Sequence, residues 1–286
     1  MSRTRAPLIA MLAAVASLLP ALAAAGAWSP GRGEYYSEIS ASRGFSDTYY
    51  DSAGARFSLP FSERHEVRAL SFYNEMGWKR RLSVILAAPI TSTTANFPDL
   101  RFQQTETGLG DIQLGFKLKV MDGATALAVS AELLAPLGYQ TDTAAPLGSG
   151  KQLARGRVLF GRSLKRWNSF LEAGGSYLSP FDSGRSQAGG SAQLGIWVRP
   201  SILLLGHYRM DRLLGGSESA SDDSQIQRVG PELRYRVDDR LDVFAGSNHV
   251  ASGRGVLHDD SYYFGMAFRK SKHNRLQGLL GNTSQP

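Results

Sequence analysis

Along residues 108–120, Ile112, Leu114, Phe116, Leu118 and Val120 alternate without a break against Asp111, Gln113, Gly115, Lys117 and Lys119. Successive side chains of a strand point to opposite faces, so this segment has one wholly apolar face and one polar, charged face. About ten residues suffice for a tilted strand to cross a bilayer, and the pattern predicts lipid on one side and water on the other. The same period recurs over 81–91, where Leu82, Val84, Leu86, Ala88 and Ile90 share a face. It recurs again over 227–237, where Val229, Leu233, Tyr235 and Val237 oppose Arg228, Glu232, Arg234 and Arg236. Pro231 falls on the apolar parity and predicts a bulge or kink, because proline has no N–H for the ladder.

Less regular alternation over 34–43, 65–76, 125–135, 153–164, 168–179, 186–198, 201–212, 241–250 and 261–269 brings the set to about twelve strands. The facing of 65–76 and of 241–250 is ambiguous. Short links at 77–80, 122–123, 165–167, 199–200 and 238–240 alternate strictly with long ones at 44–64, 92–107, 136–152, 180–185, 213–224 and 251–260. A soluble β-sandwich also alternates, but its loops do not sort into one short and one long set, and its strands are shorter. The expected fold is all-β: a transmembrane antiparallel up-and-down barrel of about 12 strands, with short periplasmic turns and long extracellular loops.

The N-terminus fits an exported barrel. Arg3 and Arg5 precede an uncharged Leu- and Ala-rich run with Pro20 and then Ala21, Ala23 and Ala25, the order of a cleaved signal peptide. The expected organisation is a signal peptide at 1–25, a short periplasmic segment at 26–33, the barrel at 34–269 and a basic flexible tail at 270–286. No later run offers about 18 consecutive apolar residues for a spanning helix. Tyr262, Phe264, Met266 and Phe268 form an aromatic last strand of the kind that barrel-assembly machinery recognises. The chain has no cysteine, which excludes disulfides, thiolate metal sites and a Cys nucleophile. Of the net +7, Arg3 and Arg5 lie in the signal and Arg269, Lys270, Lys272 and Arg275 in the tail, so the body carries only +1. Nucleic acid is therefore not an expected partner. Outer-membrane lipid and lipopolysaccharide are.

The run Gly108-Leu109-Gly110-Asp111-Ile112-Gln113-Leu114-Gly115-Phe116-Lys117 resembles the recurrent Gly-Leu-Gly-Asp-x-x-x-Gly segment of a family of outer-membrane barrels named for the meta-pathway of phenol degradation, which includes XagA-like proteins. Ala27-Trp28 with residues 31–36, Tyr73-Asn74-Glu75-Met76-Gly77, and Arg81-Leu82 before a strand holding Pro89 are similar to the same pattern, over roughly the first third of the mature chain. The resemblance implies a porin-like route for small hydrophobic or aromatic molecules and carries over no catalytic residue.

By parity, the lumen should receive Lys117, Lys119, Glu132, Arg155, Arg157, Glu172, His207, Arg209, Asp211, Arg228, Glu232, Arg234 and Arg236. Opposite charges on neighbouring strands lie within pairing reach, so these residues read either as wall bracing or as a selectivity surface favouring anions or phenol-like solutes. Lys117 and Lys119 are expected to be neutralised by Glu132. Only eight residues, 26–33, precede the first strand, too few for a large plug. Any gate is therefore expected from loops 44–64 and 92–107, whose Phe45, Tyr49, Tyr50, Phe57, Phe61, Phe97 and Phe102 read as an interfacial girdle or a capture surface. The expected function is a narrow, non-enzymatic channel without cofactor or metal, with a structural or assembly-linked barrel as the alternative. An outer-membrane lipid hydrolase is the rival class, and its place would be Ser247 and His249, two residues apart on one strand face. Asp222-Asp223 and Asp259-Asp260 lack the spacing of a calcium loop.

Overall fold

The computed structural model describes residues 26–182, 184–214 and 224–270. The predicted signal segment, the tail beyond residue 270, Asp222-Asp223 and most of the link 213–224 lie outside them. The strands are β1 (Tyr35–Tyr50), β2 (Arg56–Ser58), β3 (Arg64–Gly77), β4 (Leu82–Phe97), β5 (Phe102–Leu109), β6 (Ile112–Met121), β7 (Thr125–Ala135), β8 (Leu153–Leu164), β9 (Ser169–Pro180), β10 (Ser186–Arg199), β11 (Ile202–Leu214), β12 (Gln225–Arg236), β13 (Leu241–Arg254) and β14 (Val256–Lys270). All pairings are antiparallel, and β14 returns to β1 in register from Tyr35↔Lys270 to Phe45↔Asp260, which closes the sheet. β5 and β6 lie end to end along β4, and β2 is a short ribbon on the outer end of β1, so the closed barrel has twelve staves. The first and last residues of the barrel wall, Tyr35 and Lys270, pair at the short-turn rim.

Burial is inverted relative to a water-soluble fold. Lys117 is 0% exposed while its neighbour Phe116 is 53% exposed, and Glu75, Glu132, Arg228, Glu232 and Arg234 are buried while Leu70, Ile90, Leu114, Val158, Leu233 and Phe264 face outward. Apolar side chains directed away from the centre around a closed wall are stable only against lipid.

The stave formed by β5 and β6 contains a bulge. Ile90 pairs with Leu109 and Ala87 with Gln113, which leaves one extra residue on the β5–β6 side at Gly110-Asp111. Inward parity therefore passes from Gln104, Glu106 and Gly108 to Asp111, Gln113 and Gly115. The kink expected at Pro231 takes another form. The ladder to β13 skips Gly230 and Pro231 with no register shift, and the bulge falls higher, between Gln227 and Arg228.

Three of the predicted long links are mostly strand. β1 continues to Tyr50, β4 and β5 meet across residues 98–101, and β13 and β14 across Gly255 alone, whose φ of 59° makes the turn. Polar, Thr-rich stretches such as Thr91-Ser92-Thr93-Thr94 lose the apolar alternation above the lipid but keep the β-favouring side chains and the backbone ladder. Cross-strand hydroxyl contacts, Thr94 to Thr105 at 3.0 Å and Thr107 to Ser92 at 2.8 Å, stitch this part of the wall.

Phe116→Arg, which places a charge on the lipid-facing wall, is expected to destabilise the folded barrel by about 2–4 kcal/mol in denaturant titrations in liposomes. Arginine at outward Val120, nearer the short-turn rim, should cost less.

Candidate functional site

The strands direct the predicted lumen residues inward, and their side chains form three clusters. On one side, the Lys117 Nζ donates to Glu75 Oε2 at 2.6 Å, both residues being fully buried, and the Tyr73 hydroxyl donates to the same carboxylate oxygen at 3.3 Å. Lys119 lies against Asp122 at 3.3 Å. Glu132, the expected partner of both lysines, is instead taken by Arg157 Nε at 2.7 Å, Gln113 at 2.8 Å and Ser130 at 2.7 Å, with Arg155 at 3.7 Å. Register explains this: Glu132 pairs directly with Arg155 on β8, whereas Lys117 opposes Ser83 on β4 and Ser130 on β7.

On the opposite wall, Arg234 donates to Glu232 at 2.9 Å and to the Tyr36 hydroxyl at 2.9 Å, and lies 3.6 Å from Glu38 and 4.6 Å above the Phe244 ring. Tyr263 donates to Glu232 at 3.1 Å. Arg236 lies 3.8 Å from Asp242 and over Trp197. Arg228 binds both oxygens of Asp259, at 2.8 and 3.0 Å. Between the walls, Arg209 pairs with Asp211 at 2.7 Å, and His207 Nε2 meets the Asn248 amide oxygen at 2.7 Å. The sequence reading missed Glu75, Tyr73, Asn248 and Asp242, which lie on the two strands whose facing was ambiguous, as well as Tyr36 and Glu38 on β1. Asp259 sat in a predicted loop.

The segment before β1 is not a periplasmic appendage. Ala27 and Ser29 are buried, and Ala27 packs with Ala126, Ala128 and Leu159 on the inner wall. Trp28 stands edge-on to Phe170, with centroids 6.0 Å apart, and its indole N–H donates to the Gly123 carbonyl at 2.9 Å. Lys117 donates to the Gly26 carbonyl and Lys119 to the Ser29 carbonyl, each at 3.1 Å, while the Ala27 N–H donates to Glu172 at 3.1 Å. Eight residues are too few for a domain-sized plug but enough for a peptide that threads the short-turn half of the lumen. The lysines that looked like channel charges hold its carbonyls. A side chain at Gly26 would collide with the Glu172 carboxylate.

At the other rim, loop 136–152 folds inward, rather than loops 44–64 or 92–107. Ala145, Pro146 and Leu147 are buried. Asp111 anchors the loop, accepting from the Tyr139 hydroxyl and from the Ser149 N–H and hydroxyl at 3.1 and 2.9 Å. Ala144 N–H donates to Gln104 at 3.1 Å. Burial, reinforced by the adjacent Asp111 carboxylate, pushes the Tyr139 phenol above its ordinary range, so it stays a donor. This arrangement accounts for the Gly-Leu-Gly-Asp run. A side chain at Gly108 would strike Leu147 and one at Gly110 would meet Pro89 and the Leu147 carbonyl, while the bulge turns Asp111 inward to hold the loop.

Against Gly26 and Ala27 of the peptide lies a cavity of about 180 Å³, bordered by Tyr73, Arg155, Glu172, Ser191, Arg209 and Tyr263 among others. Arg155 and Arg209, with side chains 17% and 34% exposed, are its most accessible paired cations. Ser247 and His249, the sequence candidates for hydrolysis, lie on the outward parity of β13, away from this cavity. Ser247 Oγ is 3.0 Å from His249 Nε2, and Asp260 Oδ2 is 3.4 Å from His249 Nδ1.

This architecture defines an outer-membrane-type β-barrel. The chain is similar in structure to the COG4313 outer membrane channel from Pseudomonas putida F1, with a TM-score of 0.70 and 13% identity over 85% of this chain and 97% of that one. It is also similar to the translocator domain of the autotransporter NalP from Neisseria meningitidis (TM-score 0.51, 10% identity, 84% and 89% covered) and to the transport unit of AIDA-I from Escherichia coli (TM-score 0.50, 10% identity, 92% and 97% covered). At these identities the likeness is one of fold. No protein-family model and no curated protein matches the chain.

Two outcomes follow from this geometry. Glu75→Gln strands a buried lysine and should cost about 3–5 kcal/mol of stability, and Glu75→Gln combined with Lys117→Met should recover much of it in denaturant melts. Asp111→Ala should release loop 136–152, read as new proteolytic cleavage within the loop while the barrel core stays protected.

Proposed function

We propose that this chain is an outer-membrane channel for small molecules, with a lumen closed below by the peptide 26–33 and lidded above by loop 136–152. The observation that carries this reading is the lumen cavity that the peptide borders through Gly26 and Ala27. Its volume of about 180 Å³ exceeds the ~150 Å³ of an engineered cavity known to accept benzene, so a single-ring solute fits. Its lining is neither lipid-like nor uniformly charged: buried Tyr73 and Tyr263 border it, Ser191 and Gln193 bring hydrogen-bonding groups, and Arg155 and Arg209 bring positive charge. That combination suits a phenol-like or aromatic carboxylate solute, in keeping with the resemblance of the Gly-Leu-Gly-Asp run. Most other lumen charges are neutralised in pairs and brace the wall. In this reading the protein is exported by a cleaved signal at 1–25, inserted by the barrel-assembly machinery and surrounded by phospholipid and lipopolysaccharide.

The lumen chemistry itself needs no catalyst. A solute enters past the Asp111-held loop, rests between the tyrosines and the arginines, and leaves when the N-terminal peptide shifts. Breaking the Trp28, Lys117, Lys119 and Glu172 contacts frees that peptide without disturbing any strand pairing.

Planar-bilayer recordings and liposome-swelling assays with phenol and benzoate test the reading. Removal of residues 26–32, or the milder Trp28→Ala, should raise conductance severalfold. Arg155→Gln and Arg209→Gln should shift the reversal potential toward cation preference. If neither the full chain nor the shortened one passes any small solute, the barrel is a structural element instead.

A further inference from the structure

The outer wall carries a group that the channel reading does not use. Ser247, His249 and Asp260 lie in line: Ser247 Oγ 3.0 Å from His249 Nε2, and His249 Nδ1 3.4 Å from Asp260 Oδ2. This is the order and atom choice of a nucleophile, a base and an orienting carboxylate. Two further contacts hold the group in place. The Val250 N–H donates to Asp260 Oδ1 at 3.1 Å, which fixes the carboxylate, and Tyr262 stands edge-on to the His249 ring at 5.9 Å and 80°. His258 lies 3.9 Å from the same Oδ1. The His249 and Asp260 side chains are 40% and 36% exposed on the outside of the barrel, and Ser247 retains 8% exposure beside them.

Register sets the height of the group. Ser247 pairs with Tyr262, Tyr262 with Arg43, and Arg43 with Arg68, so all four occupy one row around the wall. Toward the short-turn rim the outward face is apolar, with Phe264, Met266, Ala245 and Val243. At the row itself Arg43 and Arg68 are 54% and 65% exposed and share Glu66 at 2.7 and 2.6 Å. The outward wall thus turns from apolar to charged near this row, and the local apolar limit on β13 and β14 places Ser247 close to the boundary between acyl chains and headgroups, where the ester bonds of a membrane lipid lie. Adjoining His249 is an open apolar depression of about 490 Å³, walled by Leu171, Leu194, Tyr208, Val229 and Pro231. Its floor is Gly206, which lies between Leu194 and Pro231 in the ladder and has open space where a Cβ would stand. An acyl chain laid along this open depression reaches His249, the residue that borders it, with Ser247 3.0 Å beyond.

We propose that Ser247, His249 and Asp260 form a hydrolytic site on the lipid-facing wall that cleaves an acyl ester of a glycerophospholipid, independently of the lumen. The Ser247 Oγ attacks the ester carbonyl carbon as its proton passes to His249 Nε2, and a C–O bond to the serine forms. Collapse of the tetrahedral adduct breaks the bond to the glycerol oxygen, which takes the proton from His249. Water, deprotonated by His249, then attacks the acyl-serine, releasing the fatty acid and returning the proton to Ser247. Asp260, whose Oδ2 lies 3.4 Å from Nδ1, stabilises the imidazolium that forms.

The test uses the full-length processed barrel, prepared from cells lacking their own outer-membrane phospholipase, in mixed micelles with phosphatidylethanolamine. Fatty-acid release and covalent labelling by a fluorophosphonate are the readouts. Ser247→Ala and His249→Ala should each lower release by about 10³-fold or more, and Ser247→Ala should abolish the label. Heat-modifiable migration and bilayer conductance should stay at the level of the unaltered protein, which separates loss of chemistry from loss of fold or of the channel. A folded, unaltered barrel that neither releases fatty acid above micelles alone nor takes the label overturns the proposal. So does release that survives Ser247→Ala.

Discussion

Lipid offers a peptide group no hydrogen-bond partner, so a wall of strands in a membrane must satisfy every N–H and C=O within itself and can have no edge. The pairing of β14 with β1 meets that demand, and much of the remaining structure follows from it. A closed twelve-stave wall must place alternate side chains inside, and a barrel of this width cannot leave them loosely solvated. The charges of the inner face are therefore drawn into pairs: Lys117 with Glu75, Arg157 with Glu132, Arg234 with Glu232 and Arg228 with Asp259. Each pair is sheltered enough that an unmatched member is expensive, which ties the stability of the wall to the composition of the lumen.

Closure also explains the two segments that occupy the lumen. Register leaves Lys117 and Lys119 at the short-turn half of the lumen with donors beyond those their carboxylate partners occupy, and the backbone carbonyls of Gly26 and Ser29 accept them. At the opposite rim the bulge at Gly110-Asp111 turns a carboxylate inward, where Tyr139 and Ser149 bind it. The peptide and the loop are attached at few points, whereas the ladder is attached at every residue, so the lumen contents can be displaced without deforming the wall.

The legibility of these features from the chain differs by element. The strands with strict alternation, β4, β6 and β12, can be placed and faced from their residues alone; they supply Lys117, Lys119, Arg228, Glu232, Arg234 and Arg236, and the weaker parity of β7, β8, β9 and β11 supplies the other lumen candidates. Where both parities carry apolar or polar groups, as in Phe72, Tyr73, Asn74 and Glu75 of β3, facing was ambiguous and the partner of Lys117 was lost with it. Polar strand extensions beyond the membrane read as loops because their side chains no longer alternate, although their backbones still pair. Asp259 and Asp260 were hidden by that misreading, and with them the inward partner of Arg228 and the outward partner of His249. The N-terminal segment was judged by its length, whereas its role depends on what the lumen offers it.

The sequence by itself determined the class of fold and the side of the wall on which most residues sit, because a period of two is a local property set by the geometry of each strand. Only the tertiary structure decided which charges meet, where the chain re-enters its own lumen, which loop bends inward and that Ser247, His249 and Asp260 stand in line. Those are matters of register between strands far apart in the chain. A shift of two residues in any pairing would exchange the partners while leaving the facing of every side chain unchanged.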